Sequence, residues 1–370
     1  MRVLVIGGVS RSLVNFRGKM LESMVAAGHD VFACSGEVES DVVEQLKQIG
    51  VVFHAVELER RGTCILNDFR YLRRLKTLID QVKPDIVLGY TVKPVVYGSI
   101  AAWWCKVPLV AAMITGAGAA QPGRSIKQSI VGRIARWLYA IALRHVDVIF
   151  FQNANDEAMF RRYRLIRNSR VVQIAGSGVD NDHFRPADPV TEPFTFLLIA
   201  RLLINKGVLD FASAAKSLKQ KYGESVRFVL VGPFESGSGG ISRDVLCGWQ
   251  RCGCIDYLGS LDDVRDVISR ASVYVLPSYR EGTPRTVLEA MAMGRPVITT
   301  DVPGCRETVL DGENGYLVPV RDPTALANAM ERFIEHPASI AEMGRRGREI
   351  ALLKYDVNKV NAVILNELGL

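Results

Sequence analysis

The sequence lacks several features that would assign it to particular classes of protein. It has no run of about eighteen uncharged apolar residues, so no transmembrane helix is predicted. Residues 1–6 lead directly into Gly7 without a signal-peptide cleavage pattern, and we interpret them as the first buried strand of a cytoplasmic protein. The seven cysteines form no CxxC pair and no zinc-like spacing with histidine, which predicts scattered reduced thiols and no metal site.

Two signatures of nucleotide-using enzymes are also missing. The loop over residues 7–12 is not GxGxxG, and the end of the second predicted strand reads Cys34-Ser35-Gly36, without the acidic ribose partner that would be needed there. This combination excludes a dinucleotide-binding fingerprint. The chain also has no Asp-x-Asp at the end of a predicted strand, so no metal-assisted diphosphate site is predicted.

Charge is distributed unevenly along the 370 residues. Residues 1–185 carry 25 Lys and Arg against 16 Asp and Glu, whereas residues 186–370 carry 21 against 23. A basic half next to a nearly neutral half predicts an anionic partner, such as nucleic acid, an anionic membrane or a phosphorylated acceptor. No stacking platform or recognition-helix motif accompanies the charge, so we expect no nucleic acid partner.

Short apolar runs alternate with amphipathic helical patterns along most of the chain. This rhythm predicts buried parallel strands joined by helices, an α/β fold. It breaks over residues 177–189, where proline and acidic residues cluster, and it resumes with the strand predicted at Phe194–Ile199. We expect two doubly wound Rossmann-like domains, at 1–185 and 186–352, and a helical tail at 353–370 that packs back on the first.

The segment from Glu281 to Ala292 follows a predicted strand and contains two glutamates eight positions apart. Glu281 lies in the loop, a helix is predicted to begin at Pro284 or Arg285 with Thr283 as its cap, and Glu289 lies about one turn inside. Free amides at a helix start suit a diphosphate, and carboxylates accept hydrogen bonds from sugar hydroxyls. By spacing alone, the glutamates could equally be ordinary residues at a helix N-terminus.

Two cations lie near the start of the second domain. Arg201 follows its first predicted strand, and Lys206 is expected to open the next helix. Such a pair suits a pyrophosphate and can neutralise charge on a leaving group, although a pair of solvated surface cations is the alternative. Gly232 and Gly259 also follow strands, and they are either plain turn glycines or points where the backbone approaches a ligand.

Residues Glu281–Glu307 resemble the Glu-x7-Glu region of the retaining, GT-B-fold glycosyltransferase family 4. The match is strongest to a branch reading EGTPRxVLEAMAxGRPxITTDVPGCRE, found in bacterial enzymes that build lipid-linked oligosaccharides or surface polysaccharides. The resemblance extends from Gly7 to about residue 320. It implies two domains facing across a cleft, with the acceptor bound by the first and the nucleotide sugar by the second.

The resemblance also implies roles for individual residues. Arg201 and Lys206 would hold the donor diphosphate, and with Glu281 they form the expected catalytic set. Relatives often carry a histidine in the loop over residues 113–120, but this chain has a loop rich in Thr and Gly there, as the bacterial branch does. The expected substrate-binding residues are Gly8, Thr115, Gly116, Gly232, Gly282, Thr283, Pro284 and Glu289.

The implied activity is a metal-independent, retaining transfer of a hexose or N-acetylhexosamine. The donor is expected to be a nucleotide-diphosphate sugar, UDP-linked, acting as co-substrate without a further cofactor. The acceptor is expected to be a glycan, carried on a polyprenyl diphosphate. Retention would follow from front-face attack, with a donor phosphate oxygen taking the acceptor proton. Two alternatives remain open: a UDP-sugar 2-epimerase of similar fold, and a non-catalytic, membrane-associated binder of sugar nucleotides.

A basic amphipathic helix is predicted over residues 124–144. Such a helix can lie on an anionic membrane, which predicts peripheral attachment to the inner face of the cell membrane. The alternative is an ordinary domain helix whose apolar face packs in the core. The cations of this helix are Arg124, Lys127, Arg133, Arg136 and Arg144, and its apolar residues include Ile126, Ile130, Ile134, Trp137, Leu138 and Ile141.

Overall fold

The computed structural model divides into two compact units. It describes residues 1–36, 38–59, 65–116, 118–120, 126–235, 237 and 239–370, with the backbone alone at 65, 119 and 126–128. The first unit comprises Met1–Ser177 and Asn358–Leu370, and the second comprises Gly178–Val357. The chain therefore passes into the second unit eight residues earlier than the expected boundary at 185, and residues 358–370 belong to the first unit.

The first unit is built on a seven-stranded parallel sheet. Its strand order is β3-β2-β1-β4-β5-β6-β7, which is the doubly wound arrangement expected from the alternating pattern. The strands are β1 (Arg2–Ile6), β2 (Asp30–Ser35), β3 (Val52–Ala55), β4 (Ile86–Tyr90), β5 (Leu109–Ile114), β6 (Val148–Phe151) and β7 (Arg170–Gln173).

Helices connect these strands, and they are long enough to form the crossovers that parallel strands need. The helix predicted over 13–27 is two helices, because a turn at Phe16 and Arg17 interrupts the helical hydrogen bonding. The Arg17 side chain is buried at this turn. The helices are α1 (Ser10–Asn15), α2 (Gly18–Ala26), α3 (Ser40–Gln48), α4 (Ile65–Val82), α5 (Val92–Trp104), α6 (Ile126–Ala142) and α7 (Ala154–Arg162).

The second unit repeats this plan with a six-stranded parallel sheet. Its strand order is β10-β9-β8-β11-β12-β13. The strands are β8 (Phe194–Ile199), β9 (Val226–Val231), β10 (Asp256–Tyr257), β11 (Val273–Leu276), β12 (Val297–Thr300) and β13 (Gly315–Val318). The helices are α8 (Val208–Tyr222), α9 (Arg243–Arg251), α10 (Arg265–Ser269), α11 (Arg285–Ala292), α12 (Pro323–Glu335) and α13 (Ser339–Lys354).

The last helix, α14 (Val357–Leu368), contributes to the core of the first unit. Val360, Ile364 and Leu368 are almost fully buried and belong to the same apolar cluster as residues of β1 and β2. Its spacing of four residues places these side chains on one face of the helix. The end of the chain is thus part of the first fold rather than an appendage.

Two further sequence expectations concern membrane spans and cysteines. Within the described residues, no helix combines the length and apolar character needed to cross a bilayer. The expectation of reduced thiols meets one exception, because the sulfur atoms of Cys252 and Cys254 lie in contact and are placed to form a disulfide. The intervening Gly253 has a φ of 66°, and this turn brings the two Cα atoms within 5.4 Å.

Candidate functional site

The predicted site residues of the second unit gather at one edge of its sheet. Strands β9, β8, β11 and β12 are consecutive neighbours, and all run in parallel. The loops that follow them therefore meet at the carboxyl-terminal edge, which is where ligands bind in open α/β sheets. Arg201 and Lys206 follow β8, Gly232 follows β9, and Glu281 follows β11.

Lys206 and Glu281 form the closest charged pair of this edge. The Lys206 Nζ lies 2.5 Å from Glu281 Oε1, and both side chains are less than one-fifth exposed. The Ser278 hydroxyl donates a second hydrogen bond, of 2.6 Å, to the same carboxylate oxygen. Ser278 is fully buried, and the Thr300 hydroxyl donates to its carbonyl oxygen. Two donors thus fix the Glu281 carboxylate.

Lys206 was expected to open a helix, but it lies before the helix begins. It ends a short 3-10 turn over Ile204–Lys206, and α8 begins at Val208 after Gly207 in the left-handed region. A Cβ at Gly207 would lie 2.0 Å from the Pro277 carbonyl oxygen, so only glycine allows this approach. The loops after β8 and β11 consequently touch through their backbones, which brings Lys206 to Glu281.

Gly304 and Gly232 allow two more close approaches of this kind. At Gly304 (φ 88°), a Cβ would lie 2.0 Å from the Gly282 carbonyl oxygen. At Gly232 (φ 140°), it would lie 2.0 Å from the Ala200 carbonyl oxygen, directly before Arg201. The predicted site residue Gly232 therefore has a packing role, which is independent of any contact with a ligand.

Arg201 is more open than Lys206. Its side chain is 48% exposed, and its Nη1 lies 3.4 Å from Glu235 Oε1, in the loop that follows β9. A pair this long and this exposed contributes little stability. The guanidinium is therefore available to an anion that approaches this edge of the sheet, with Glu235 as the group that the anion would displace.

Helix α11 begins beside these side chains. Pro284 is the N-cap residue, without a side-chain cap hydrogen bond, so the expectation that Thr283 caps the helix is wrong. The Tyr274 hydroxyl donates to Thr286 Oγ1 over 2.6 Å and also lies 3.2 Å from the Ile199 carbonyl oxygen. The buried Tyr274 side chain thereby ties the start of α11 to the end of β8, and burial raises its pKa.

Glu289 lies inside α11 and is only 7% exposed. Its Oε1 is 2.8 Å from Arg285 Nε, one helical turn earlier. Burial raises the pKa of the Glu289 carboxyl, because the desolvation cost of the charged form outweighs the attraction of Arg285. Whereas Glu281 has one side at the loop surface, Glu289 is enclosed and already paired.

The remaining predicted site residues belong to the first unit. Gly8 follows β1, and Thr115 and Gly116 follow β5, with β4 between those strands. All three positions therefore lie at the carboxyl-terminal edge of the first sheet. A Cβ at Gly8 would be 3.0 Å from Thr91 Oγ1, and Gly116 has a φ of 147°. Gly116 therefore has a backbone conformation that favours glycine, whereas Gly8 packs closely against the Thr91 side chain.

The predicted basic helix corresponds to α6 and ends at Ala142. Arg124 lies outside the described residues, as does the Lys127 side chain. Arg136 is not a free surface cation, because its Nη1 donates to the Ala120 carbonyl oxygen over 2.7 Å and its guanidinium stacks on Tyr163. Arg133 and Arg144 are exposed.

Sequence reasoning missed Ser278, Tyr274 and Cys305 near the site. Burial raises the pKa of the Cys305 thiol to about 12, and the Glu281 carboxylate adds to this shift. Ser278 and Tyr274 are polar groups within or beside an apolar strand, and that position is the signal that could have identified them. The described part of the chain contains no cluster of three or more His, Cys, Asp or Glu that could hold a metal ion.

Two family models match the chain. Residues 193–336 match the model described as glycosyl transferases group 1, and residues 14–176 match the glycosyl transferase 4-like domain. Together these matches cover most of both units.

Three curated relatives match over most of their lengths. The N,N'-diacetylbacillosaminyl-diphospho-undecaprenol alpha-1,3-N-acetylgalactosaminyltransferase of Campylobacter jejuni is 25% identical over 97% of this chain and 96% of its own. The putative glycosyltransferase EpsD of Bacillus subtilis is 30% identical, with 76% and 75% covered. The UDP-Gal:alpha-D-GlcNAc-diphosphoundecaprenol alpha-1,3-galactosyltransferase of Escherichia coli is 27% identical, with 74% and 73% covered.

Solved structures match the fold over the full chain. HepE of Anabaena, crystallised with UDP-glucose, superposes with a TM-score of 0.81 at 19% identity and covers 100% of this chain and 99% of its own. Sucrose-phosphate synthase of Thermosynechococcus elongatus gives 0.80 at 19% identity, with 100% and 98% covered. Both similarities support the two-domain architecture with parallel sheets.

Proposed function

Because the chain belongs to the group 1 glycosyltransferases, of GT-B fold, we propose that it transfers a sugar from a UDP-sugar to a glycan on a polyprenyl diphosphate. The observation that carries this proposal is the cluster of Arg201, Lys206 and Glu281 beside the start of α11. A diphosphate needs positive charge on several sides, and two cations with a helix N-terminus supply it.

Arg201 and Lys206 bind the donor diphosphate and stabilise the negative charge that grows on it as the sugar departs. When the diphosphate arrives, Lys206 shares its ammonium protons between the phosphate and Glu281. Glu281 then has an oxygen free to accept a hydrogen bond from a sugar hydroxyl. Glu289 supports this role from inside α11, where it holds Arg285.

The relatives support the choice of both substrates. The Campylobacter jejuni and Escherichia coli enzymes carry undecaprenol-diphosphate acceptors in their names, and the latter also names a UDP-sugar donor. We assign the same classes here, with a hexose or an N-acetylhexosamine as the transferred sugar. Such an acceptor places the reaction at an anionic membrane surface, where we expect the protein to attach peripherally.

Retention of the anomeric configuration is part of the proposal. The acceptor hydroxyl attacks the anomeric carbon on the face that the diphosphate leaves, and its proton passes to a donor phosphate oxygen. The sugar–phosphate bond breaks as the new glycosidic bond forms, which leaves UDP. Product analysis by NMR tests this step, because an inverted anomeric centre would exclude it.

The first test removes the two cations in turn. Arg201→Ala and Lys206→Ala should each weaken UDP binding by about 1.5–3 kcal/mol, because each loses a charge-assisted contact. This corresponds to roughly tenfold or more in Kd by titration calorimetry. Arg227→Ala is the matched control, since Arg227 is 49% exposed and pairs with Asp256 at the opposite end of β9. Unchanged UDP affinity in both site variants would refute the assignment.

A chelator tests metal independence. We expect EDTA to leave the transfer rate largely unchanged, because Arg201, Lys206 and the start of α11 provide the positive charge that a divalent ion would otherwise supply. The rate is measured with and without EDTA on the same UDP-sugar and acceptor. Loss of activity with EDTA and recovery with magnesium or manganese would contradict this scheme.

Incubation with a UDP-sugar alone separates the proposal from an epimerase of similar fold. A transferase consumes the donor only by slow hydrolysis until the acceptor is added. Accumulation of a 2-epimeric UDP-sugar without an acceptor would favour the epimerase. Donor binding without turnover in the presence of an undecaprenyl-diphosphate glycan series would favour a non-catalytic binder.

A further inference from the structure

Helix α6 has one apolar face in the core and another at the surface. Ala135, Tyr139 and Ala142 are buried, and Tyr139 packs against Phe160 with ring centroids 5.0 Å apart. The opposite stripe is exposed: Ile130 to 50%, Ile134 to 54% and Trp137 to 63%. Their spacing of four and three residues places them in one row along the helix. The core does not account for these three side chains.

Charge on this outer face has one sign. Residues 126–142 contain three Lys or Arg and no Asp or Glu. Arg133 is exposed and lies three residues after Ile130 and four before Trp137, within the same row. The whole first unit carries 25 Lys and Arg against 15 Asp and Glu, so its net charge is positive too. An anionic partner complements this face.

Two further exposed tryptophans lie at the end of the neighbouring helix. Trp103 and Trp104 of α5 are 47% and 44% exposed. Trp103 stacks on His145, three residues beyond α6, with ring centroids 4.1 Å apart. This contact locates the α5 tryptophans at the carboxyl-terminal end of α6. Tryptophan favours the membrane–water interface, where its ring is apolar and its N–H stays hydrated.

We infer that the outer face of α6 docks on an anionic lipid bilayer, with Ile130, Ile134 and Trp137 at the acyl-chain boundary and Arg133 among the headgroups. This inference rests on the proposed function, because a polyprenyl-linked acceptor requires the enzyme at a bilayer. A second copy of the chain fits this face poorly, since two rows with positive charge and no carboxylate would repel each other.

The test measures binding of the full chain to vesicles by flotation. Wild-type protein should bind phosphatidylcholine vesicles that contain phosphatidylglycerol, bind pure phosphatidylcholine weakly, and be released by salt. Ile134→Ser with Trp137→Ser should weaken binding by about tenfold or more through loss of apolar burial. Arg133→Gln should lower binding to the anionic vesicles by roughly fivefold. Arg136→Gln is unsuitable, because Arg136 makes internal contacts.

Leu310→Ser with Leu353→Ser is the matched control, because both leucines are exposed but belong to the second unit. The control should bind vesicles as the wild type does. Equal binding of wild type to neutral and anionic vesicles would overturn the inference, and so would unchanged binding of the Ile134 and Trp137 variant. A lipid-free dimer that this variant abolishes would assign the face to self-association instead.

UDP affinity and transfer to a water-soluble, short-chain acceptor separate this inference from the proposed function. Both should be unchanged in the α6 variants, since Arg201, Lys206 and Glu281 belong to the other unit. Intact vesicle binding without any transfer would count against the proposed function alone. Intact transfer with vesicle binding that ignores the α6 changes would count against the docking face alone.

Discussion

The Glu281 carboxylate owes its position to Ser278 as much as to Lys206. Both donors reach the same oxygen, at 2.6 and 2.5 Å. Because Ser278 is fully buried and three residues earlier in the same loop, it holds Glu281 whether or not Lys206 turns toward a ligand. We therefore regard Ser278 as a positioning residue of the proposed donor site.

Ser278→Ala should reduce kcat/KM for transfer by about tenfold to a hundredfold, because the carboxylate loses a hydrogen bond of the charged class. Ser272→Ala is the matched control. Ser272 is equally buried and accepts a hydrogen bond from the Thr195 amide at the other end of β11. Both variants should lose about 1–2 kcal/mol of unfolding free energy in urea, but only Ser278→Ala should slow transfer. A similar loss of kcat/KM in both would assign Ser278 a purely structural role.

At the scale of single residues, the sequence indicates where charged side chains lie better than which contacts they make. Glu281, Arg201 and Lys206 are recognisable because charged residues after buried strands need a reason. Ser278 is uncharged, so its position beside an apolar strand is its only signal, and its partner is defined only when the loop folds back. The wrong cap at Thr283 has the same origin, because a one-residue shift of a helix start lies below what a sequence pattern resolves.

At the scale of elements, the buried strands and the edge strand β3 were predictable, whereas the edge strands β7, β10 and β13 were not. Central strands such as β8 and β11 are buried along their whole length and appear as continuous apolar runs. The edge strands β7 and β13 contain half-exposed positions, and β10 is only two residues long. Their patterns do not differ from those of loops, so tertiary pairing rather than local sequence defines them.

Gly232 tests how closely the loops of neighbouring strands must approach. Gly232→Ala should lower both the melting temperature and the affinity for UDP, because its Cβ would displace the Ala200 carbonyl and with it Arg201. Gly223→Ala is the control, since Gly223 also has a positive φ (59°) but faces open space at the end of α8. The control should lose about 1–3 kcal/mol from its strained backbone conformation alone and keep its UDP affinity. Equal UDP affinity in both variants would show that the close approach does not position Arg201.

At the scale of the whole molecule, the two units differ in net charge, and only the first is built from two separate segments of the chain. The second unit carries 21 Lys and Arg against 24 Asp and Glu, and it contains Arg201, Lys206 and Glu281. The first unit is strongly basic and is completed by α14 from the end of the chain. The alternation of strands and helices indicated two units, and it breaks from residue 177 onward, but the expected boundary was set at 185, where the prolines begin.

The C-terminal helix supplies the last prediction. Ile364→Ala should destabilise the first unit by about 2–5 kcal/mol, because Ile364 is fully buried among Val3, Val31 and their neighbours and its loss leaves a cavity. Val363→Ala is the matched control, since the adjacent Val363 is 43% exposed. Hydrogen–deuterium exchange should show faster exchange in first-unit peptides of the Ile364 variant and unchanged exchange in second-unit peptides. UDP affinity should stay at the wild-type value in both variants, because Arg201, Lys206 and Glu281 all belong to the second unit. If exchange rose equally in the two units, α14 would stabilise the molecule as a whole, and the division of the core between the units would be wrong.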